Sequence, residues 1–371
     1  MLSREGQEAV QRTILTSMIL VICALAGTQR ASPAPNADGA PGPSADVSFV
    51  DSLALYGPQQ QVRGTIRLWG HGSPKHDFMG KLVGNWIKTF NGYQPGVNFD
   101  NRLYGTASAI GALYTGAGDL AILGEEVSPA AAAAFKRAKS YAPTCVQVAT
   151  GSLDVNYFDY AHMIFVHKDN PIDRLTVAQL EAIFGTEHRR GGHNIRRWGE
   201  LGLGGGWTDQ DIHPYAWKVD EDFALFFRER VLDGSHRWNP DIREYVTMKR
   251  PDGSVLDRGQ QIIDALSQDR YGIAISNLRF ANASVKAVAL AGDDRGAYYE
   301  PTPNNLIDQS YPLTRLIPAC IDRKPGGPVD PLLREFLRFL LSREGQRALL
   351  QDSGYLPLST QAIRAQLAMI Q

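Results

Sequence analysis

The sequence predicts an α/β protein, because short apolar strands alternate along the chain with amphipathic helical stretches. The run TIRLW at 65–69 has the composition of a strand and leads into a glycine-rich turn at 70–74. A helix is predicted from 77 to 90, where bulky apolar residues recur at every fourth position from Phe78 to Phe90. The order strand, turn, helix favours a mainly parallel sheet covered by helices.

The same order is repeated in the next part of the chain. A strand is predicted at 97–103, a turn at 105–108 and a short helix at 109–115. A buried strand at 119–123 and an alanine-rich helix from 130 to 137 follow. These segments complete the alternation expected of an α/β lobe.

The chain becomes richer in strands from about Cys145, and one helix in this part has a clear start. Thr176 precedes the helical run 177–184, and Gln179 stands three residues further on, which is the pattern of a capping box. Further strands and helices are predicted at 145–149, 162–166, 212–217, 222–232, 259–268 and 271–276.

The last part of the chain returns to the earlier pattern. A strand is predicted at 318–321, and one long helical segment at 330–351 carries leucine and phenylalanine residues on one face. Gly354 ends this segment. No repeat of fixed period is found.

The first residues are typical of export rather than of the folded body. An apolar run from Ile14 to Ala26 is short for a membrane span and is followed by small residues, which predicts a signal peptide at 1–34. An uncleaved anchor is the alternative. Residues 35–60 begin with many Pro, Ala and Gly residues and are expected to form a flexible tether.

Composition and charge exclude several classes of protein. Hydrophobic residues make up 43% of the chain, which is enough for real cores. Lys plus Arg number 38 and Asp plus Glu 39, so the net charge of -1 gives no general attraction to nucleic acid. After removal of the predicted signal, Cys145 and Cys320 remain, either as a disulfide or as two separate buried thiols. No metal-binding spacing is present, so we expect no metal site.

The sequence contains no recognisable catalytic motif, and we therefore expect no enzymatic activity. Histidines are scattered without HExxH spacing, and no phosphate-binding loop of the P-loop type occurs. The turn at 70–74 has Pro where a nucleophile elbow requires its second Gly.

Five segments occur in an order that is characteristic of one family. They are GHGSPKHDFMGKLVGNW at 70–86, GTASAIGALYTGAGDLAILGEEVSP at 105–129, HKDNPIDRLTVAQLEAIFGTEHRRGGHNIRRWGELG at 167–202, YGIAI at 271–275, and YPLTRLI at 311–317 with EFLRFLLSREGQRALLQDSGYLPL at 335–358. In this order they resemble the substrate-binding proteins of phosphate ABC transporters. The resemblance covers roughly residues 62 to 360.

This resemblance implies the type 2 periplasmic binding protein fold: two α/β lobes with mixed sheets flanked by helices, joined by hinge crossover strands. Lobe 1 is expected at 61–154 and 286–371, and lobe 2 at 155–285. The implied function is the binding of phosphate or a related small oxyanion in the cleft between the lobes, for uptake. The implied setting is the periplasm, with an inner-membrane ABC permease as partner. We expect a monomer, no cofactor and no nucleic-acid partner.

The residues themselves support an anion site at two glycine turns that open helices. Such turns leave backbone N–H groups without intrahelical acceptors, and the helix dipole favours an anion there. Gly72 and Ser73 lie at the first turn, and Thr106 and Ser108 lie at the second. Alternatively, these hydroxyls only cap their helices.

The sequence departs from the family pattern in the second lobe. The family has an Arg and a Ser-Gly-Thr turn where this chain has YAWKVDEDF at 215–223, so Lys218 is the candidate replacement for the arginine. Glu125 is the candidate substitute for the family's aspartate, which accepts a proton from phosphate. The alternative function is therefore a binding, sensing or scaffold protein on the same fold, with an altered or lost phosphate site.

Overall fold

The fold is α/β, as predicted, and its strands are short. The computed structural model describes residues 46–72, 78–151, 161–220, 224–351 and 354–371. The strands in these ranges are β1 (Gly64–Gly70), β2 (Val97–Arg102), β3 (Leu120–Ile122), β4 (Thr144–Thr150), β5 (Met163–His167), β6 (Arg174–Thr176), β7 (His213–Trp217), β8 (Arg243–Tyr245), β9 (Met248–Lys249), β10 (Val255–Leu256), β11 (Gly272–Ser276), β12 (Val285–Ala287), β13 (Ala289–Ala291) and β14 (Leu316–Ile321).

Helices connect and cover these strands. In the described residues they are α1 (Phe78–Tyr93), α2 (Thr106–Thr115), α3 (Pro129–Lys139), α4 (Val177–Phe184), α5 (Ala224–Arg230), α6 (Arg258–Leu266), α7 (Pro303–Ile307), α8 (Pro331–Leu340), α9 (Arg343–Leu349) and α10 (Thr360–Met369). None of the described helices is both long enough and apolar enough to cross a bilayer.

A first five-stranded sheet has the order β2-β1-β3-β14-β4. Strand β1 is parallel to β2 and β3, as expected for strands connected through helices. Strand β14 is antiparallel to β3 and β4, so the sheet is mixed. Helices α1 and α8 cover this sheet with fully buried aromatic side chains such as Trp86, Phe90 and Phe336.

A second five-stranded sheet has the order β12-β5-β11-β7-β8. Strand β11 is antiparallel to β5 and parallel to β7. Its core includes Leu180 of α4, Phe227 of α5 and Ile263 of α6, all fully buried. Two mixed sheets, each with its own buried core, form the two lobes.

In the described residues, the two passages of the chain between the sheets begin next to each other. Thr150, the last residue of β4, pairs with Leu316, the first residue of β14. The next backbone hydrogen bond runs from Gly151 N to Arg315 O at 2.9 Å. The two crossings therefore lie side by side at the edge of the first sheet.

The chain returns to the first sheet through strands that pair with the second lobe. Strand β12 pairs with β5, and β13 pairs with β6. The expected boundary between residues 285 and 286 therefore falls inside a strand of the second sheet, and these pairings favour a later return, after Ala291. The boundaries themselves remain a prediction.

The two cysteines of the folded body form a disulfide. Cys145 of β4 and Cys320 of β14 are paired directly across the strands, with their Cα atoms 4.0 Å apart. Of the two possibilities that the sequence left open, the structure shows the bonded pair.

The prediction of one long C-terminal helix at 330–351 is wrong, because the structure has two helices there. The segment is divided into α8 and α9 at Ser342, whose hydroxyl oxygen accepts a hydrogen bond from Gly345 N at 3.3 Å and so caps the second helix. A Cβ atom on Gly345 would lie 2.2 Å from Phe339 O, so the two helices meet too closely there for a larger residue.

The described residues near both ends of the chain differ from what the sequence predicts. The predicted signal peptide lies outside the described residues, as does the tether up to residue 45. The described part of the tether prediction, 46–60, is corrected: a 3₁₀ turn forms at Ser48–Ser52, and Val50, Leu53 and Tyr56 are buried in the first core. Helix α10 was not predicted.

Candidate functional site

Three loops meet at the carboxyl ends of β1, β2 and β3, and we call them the strand-end loops: residues 71–72, 105–108 and 123–126. Backbone hydrogen bonds connect them, from His71 N to Ile122 O at 2.9 Å and from Gly105 N to Gly70 O at 2.9 Å. In open α/β sheets, ligands bind at this edge of the strands. The first lobe therefore offers its candidate site here.

Glycine is required where β1 enters these loops. A Cβ atom on Gly70 would lie only 2.5 Å from Ile122 O, so a side chain would separate β1 from β3. Gly72 has a φ of 153°, a backbone conformation that other residues rarely adopt. The glycine turn recognised in the sequence is thus imposed by close packing of the backbone.

Helix α2 opens toward the strand-end loops without a side-chain cap. Its N-cap residue is Gly105, with φ 132°, and the first intrahelical bond runs from Ala109 N to Gly105 O. The amides of residues 106–108 consequently have no acceptor within the helix. Together with the helix dipole, these N–H groups favour an anion at this position.

The two predicted hydroxyls on α2 have different roles. Thr106 Oγ1 accepts a hydrogen bond from Gly124 N at 3.4 Å, which leaves its hydrogen able to donate to a ligand. Ser108 donates its hydroxyl to Gly105 O at 2.8 Å and is exposed. Thr106 is therefore the better ligand donor, and Ser108 serves the helix start.

The other predicted residue of the first turn cannot be compared with the structure. Ser73, with the neighbouring Lys75 and His76, lies outside the described residues. Its assignment to the ligand site stays a prediction.

A buried arginine lies beside the strand-end loops and was not predicted as a site residue. Arg315, at the entry of β14, is 1% exposed, and its Nη2 lies 3.0 Å from Glu126 and 3.6 Å from Glu125. Glu126 also accepts a hydrogen bond from Leu316 N at 3.3 Å. The predicted Glu125 thus belongs to a charge cluster in which two partly exposed carboxylates compensate one buried guanidinium.

The same arginine contacts the second lobe. Its Cζ atom lies 4.9 Å from the ring centroid of Phe226 on α5, within the range of a cation–π interaction. Arg315 therefore connects the carboxylates that follow β3 with a helix that packs in the second core. This side chain joins the two lobes at the crossing point of the chain.

His162 is buried next to this junction, just before β5. Its ring packs against Trp217 and Phe226, with centroids 5.2 and 5.0 Å away. Burial lowers the pKa of His162 well below its ordinary value, and the positive charges of Arg315 and Arg258 lower it further. This histidine is therefore neutral in the folded protein at neutral pH.

Lys218, the predicted replacement for the family arginine, follows β7 on the second sheet. Its Nζ forms an ion pair with Asp220 at 3.0 Å, and 47% of the side chain is exposed. An exposed ammonium group that already has a carboxylate partner adds little free energy to the binding of an anion. The structure brings together Gly72, Thr106, Ser108 and Glu125, whereas Lys218 lies on the other lobe.

Sequence reasoning missed Arg315 although it quoted the segment that contains it. The signal was a charged residue inside the otherwise apolar YPLTRLI, directly before a buried strand. Its partners, Glu125 and Glu126, are 190 and 189 residues earlier in the chain, and no local pattern reveals that distance.

Comparison with known proteins agrees with this architecture. A family model described as the PBP superfamily domain matches residues 72–344. The phosphate-binding protein PstS of Pseudomonas aeruginosa is 30% identical over 320 residues, which is 85% of this chain and 90% of that protein.

Two solved structures share the fold. PstS from Borrelia burgdorferi has a TM-score of 0.54 at 13% identity and covers 80% of this chain and 100% of its own. A possible phosphate-binding protein from Planctomyces limnophilus has a TM-score of 0.50 at 18% identity, with coverages of 84% and 98%.

Fold and sequence together define a two-lobed periplasmic binding protein, a class of solute-binding proteins rather than enzymes. Within that class, the chain belongs to the PBP superfamily and to the substrate-binding protein family of phosphate ABC transporters. The resemblance found in the sequence is thereby confirmed.

Proposed function

We propose that this chain is an exported solute-binding protein that holds phosphate or a related small oxyanion between its lobes for ABC-type uptake. The observation that carries the proposal is the start of α2. Three backbone amides and the Thr106 hydroxyl lie there at the carboxyl ends of parallel strands. Relatives named as phosphate-binding proteins over most of the chain support the same ligand class.

The negative residues at this site shape which anion fits. Glu125 is 20% exposed and lies in the strand-end loop that follows β3. A carboxylate there repels a fully deprotonated anion but accepts a hydrogen bond from a protonated one. The proposal therefore favours phosphate and arsenate, which keep a proton near neutral pH, over sulfate.

The proposal includes the cellular setting. The chain is exported to the periplasm, acts as a monomer, and presents its ligand-bound form to an inner-membrane permease. Lobe 1 comprises 61–154 and 286–371 and lobe 2 comprises 155–285, subject to the later return that β12 and β13 favour.

Calorimetry with phosphate, arsenate and sulfate tests the ligand. Thr106→Ala is expected to weaken phosphate binding about tenfold or more, because a hydrogen bond to a charged group is lost. Thr115→Ala, at the other end of α2, serves as the matched control and leaves the affinity unchanged. Among the residues that the structure describes, the Thr115 hydroxyl bonds to Gly111 O and Ala112 O alone.

A second candidate function has its own observation. The positive charge of Arg315 is already compensated by Glu125 and Glu126. In the described part of the junction, this arginine therefore adds no excess positive charge that would attract an anion. A folded protein that bound none of the three oxyanions would favour a sensing or scaffold role on the same fold and overturn the phosphate proposal.

A further inference from the structure

A separate cavity of about 670 Å³ lies on the first lobe, away from the strand-end loops. Its wall is formed by residues 52–59, by α8 with the residues after it, and by α10 with the residues after it. None of the residues 71–72, 105–108 or 123–126 lines it. Its volume falls within the ~300–1,000 Å³ of small-molecule sites.

Positive charge on this wall exceeds what nearby carboxylates compensate. Arg334, Arg338 and Arg364 line the cavity. Arg338 is paired, with Nη1 3.1 Å from Glu335, which is fully buried. In the described part of the chain, Arg364 has neither an ion pair nor a side-chain hydrogen bond. Two of the three guanidinium groups therefore remain available for an anion.

Arg334 can offer only its outer nitrogen atoms to the cavity. Its Nε atom is buried and has no hydrogen-bond acceptor among the described residues. Because an atom without exposed surface cannot be reached from the cavity, an anion there would bind the Nη atoms of Arg334.

The rest of the wall is partly polar and partly apolar, with Gln59, Thr360 and Gln371 among its polar residues. Leu367 is half-buried and Leu55 is 64% exposed, so these two side chains offer apolar surface to the cavity. An apolar surface beside unpaired guanidinium groups matches a molecule with one anionic head and one apolar chain.

We propose that this cavity binds a single-chain anionic amphiphile. Its head group lies on Arg334 and Arg364, and its chain lies along Leu55 and Leu367. The site is independent of the proposed oxyanion site, because it uses other residues of the first lobe.

Binding of decyl phosphate, below its micelle concentration, tests the proposal by calorimetry on the full chain. We expect saturable binding to the unaltered protein, weakened about tenfold by Arg364→Gln and further by Arg334→Gln with Arg364→Gln, because charge-assisted hydrogen bonds are lost. Arg137→Gln is the matched control, since Arg137 is exposed on α3 and away from the cavity. These variants leave the affinity for inorganic phosphate unchanged.

Three results would overturn the proposal. The first is no binding of decyl phosphate, and the second is equal affinity of Arg364→Gln and the unaltered protein for it. The third is competition between decyl phosphate and inorganic phosphate, together with weaker binding of decyl phosphate by Thr106→Ala. This third result would place the amphiphile head at the strand-end loops. Because Arg364 is exposed, its single variant is expected to fold and decides the question even where the double variant does not.

Discussion

At the residue scale, the main feature of this protein is a buried charge that belongs to both lobes. A guanidinium with 1% exposure is tolerated only when carboxylates compensate it, and Glu125 and Glu126 do so for Arg315. The arrangement fixes these carboxylates beside the start of α2. Any anion bound there must therefore fit between a donor-rich helix end and two acidic side chains.

His162 gives this junction a pH dependence. Its pKa is lowered in the folded protein, so the unfolded chain binds the proton more readily below the ordinary value of 6.5. The free energy of unfolding therefore falls as pH drops below that value, by about 1.4 kcal/mol per pH unit until the folded pKa is reached. We expect His162→Phe to remove this loss, measured by urea unfolding at about pH 7.5 and about pH 5.5.

The control for this prediction is His193→Asn. The His193 side chain is 78% exposed and lies 3.9 Å from Glu200, so its replacement is expected to change the loss of stability far less than His162→Phe does. An unchanged loss of stability in His162→Phe would show that other groups dominate this pH range. Carboxylates whose pKa is lowered, such as Asp269, lose their contribution at lower pH.

At the scale of elements, local signals were predicted well and tertiary ones were not. Helix α4 begins and ends where the sequence placed it, because Thr176 and Gln179 form the predicted capping box through neighbouring atoms. The division between α8 and α9 was missed, since both helices turn the same apolar face inward and the pattern continues across Ser342.

The candidate site shows the same difference between local features, which the sequence predicts, and tertiary contacts, which it does not. The glycine turn and the helix after it are encoded locally, and both were recognised, although α2 begins at Thr106, three residues before its predicted start. The compensation of Arg315 depends on strand order, since β14 inserts between β3 and β4. That order brings together Arg315 and Glu126, which are 189 residues apart in the chain.

The disulfide between β4 and β14 carries an element-scale prediction. It joins residues separated by 175 positions, so it restricts the unfolded chain strongly. Replacing both cysteines with alanine is expected to lower the free energy of unfolding by about 4 kcal/mol, measured by urea unfolding. A reducing agent should destabilise the original protein and leave the double variant unaffected. Equal stability of the two oxidised proteins would contradict the prediction.

At the scale of the whole molecule, the proposed function requires the lobes to approach each other around the ligand. Small-angle X-ray scattering should then show a smaller radius of gyration at saturating phosphate. Thr106→Ala, at a phosphate concentration that leaves it unliganded, should retain the larger value. A radius unaffected by bound phosphate would argue against closure as the mechanism.

The side-by-side crossings of the chain have an architectural consequence. Thr150 and Leu316 are paired across two neighbouring strands. The segment between these two residues therefore leaves the first sheet and returns to it at adjacent positions. A segment with adjacent ends can be gained, exchanged or removed without disturbing its host. The second lobe is therefore attached to the first in the manner of an inserted domain, with its entry and exit adjacent in the first sheet.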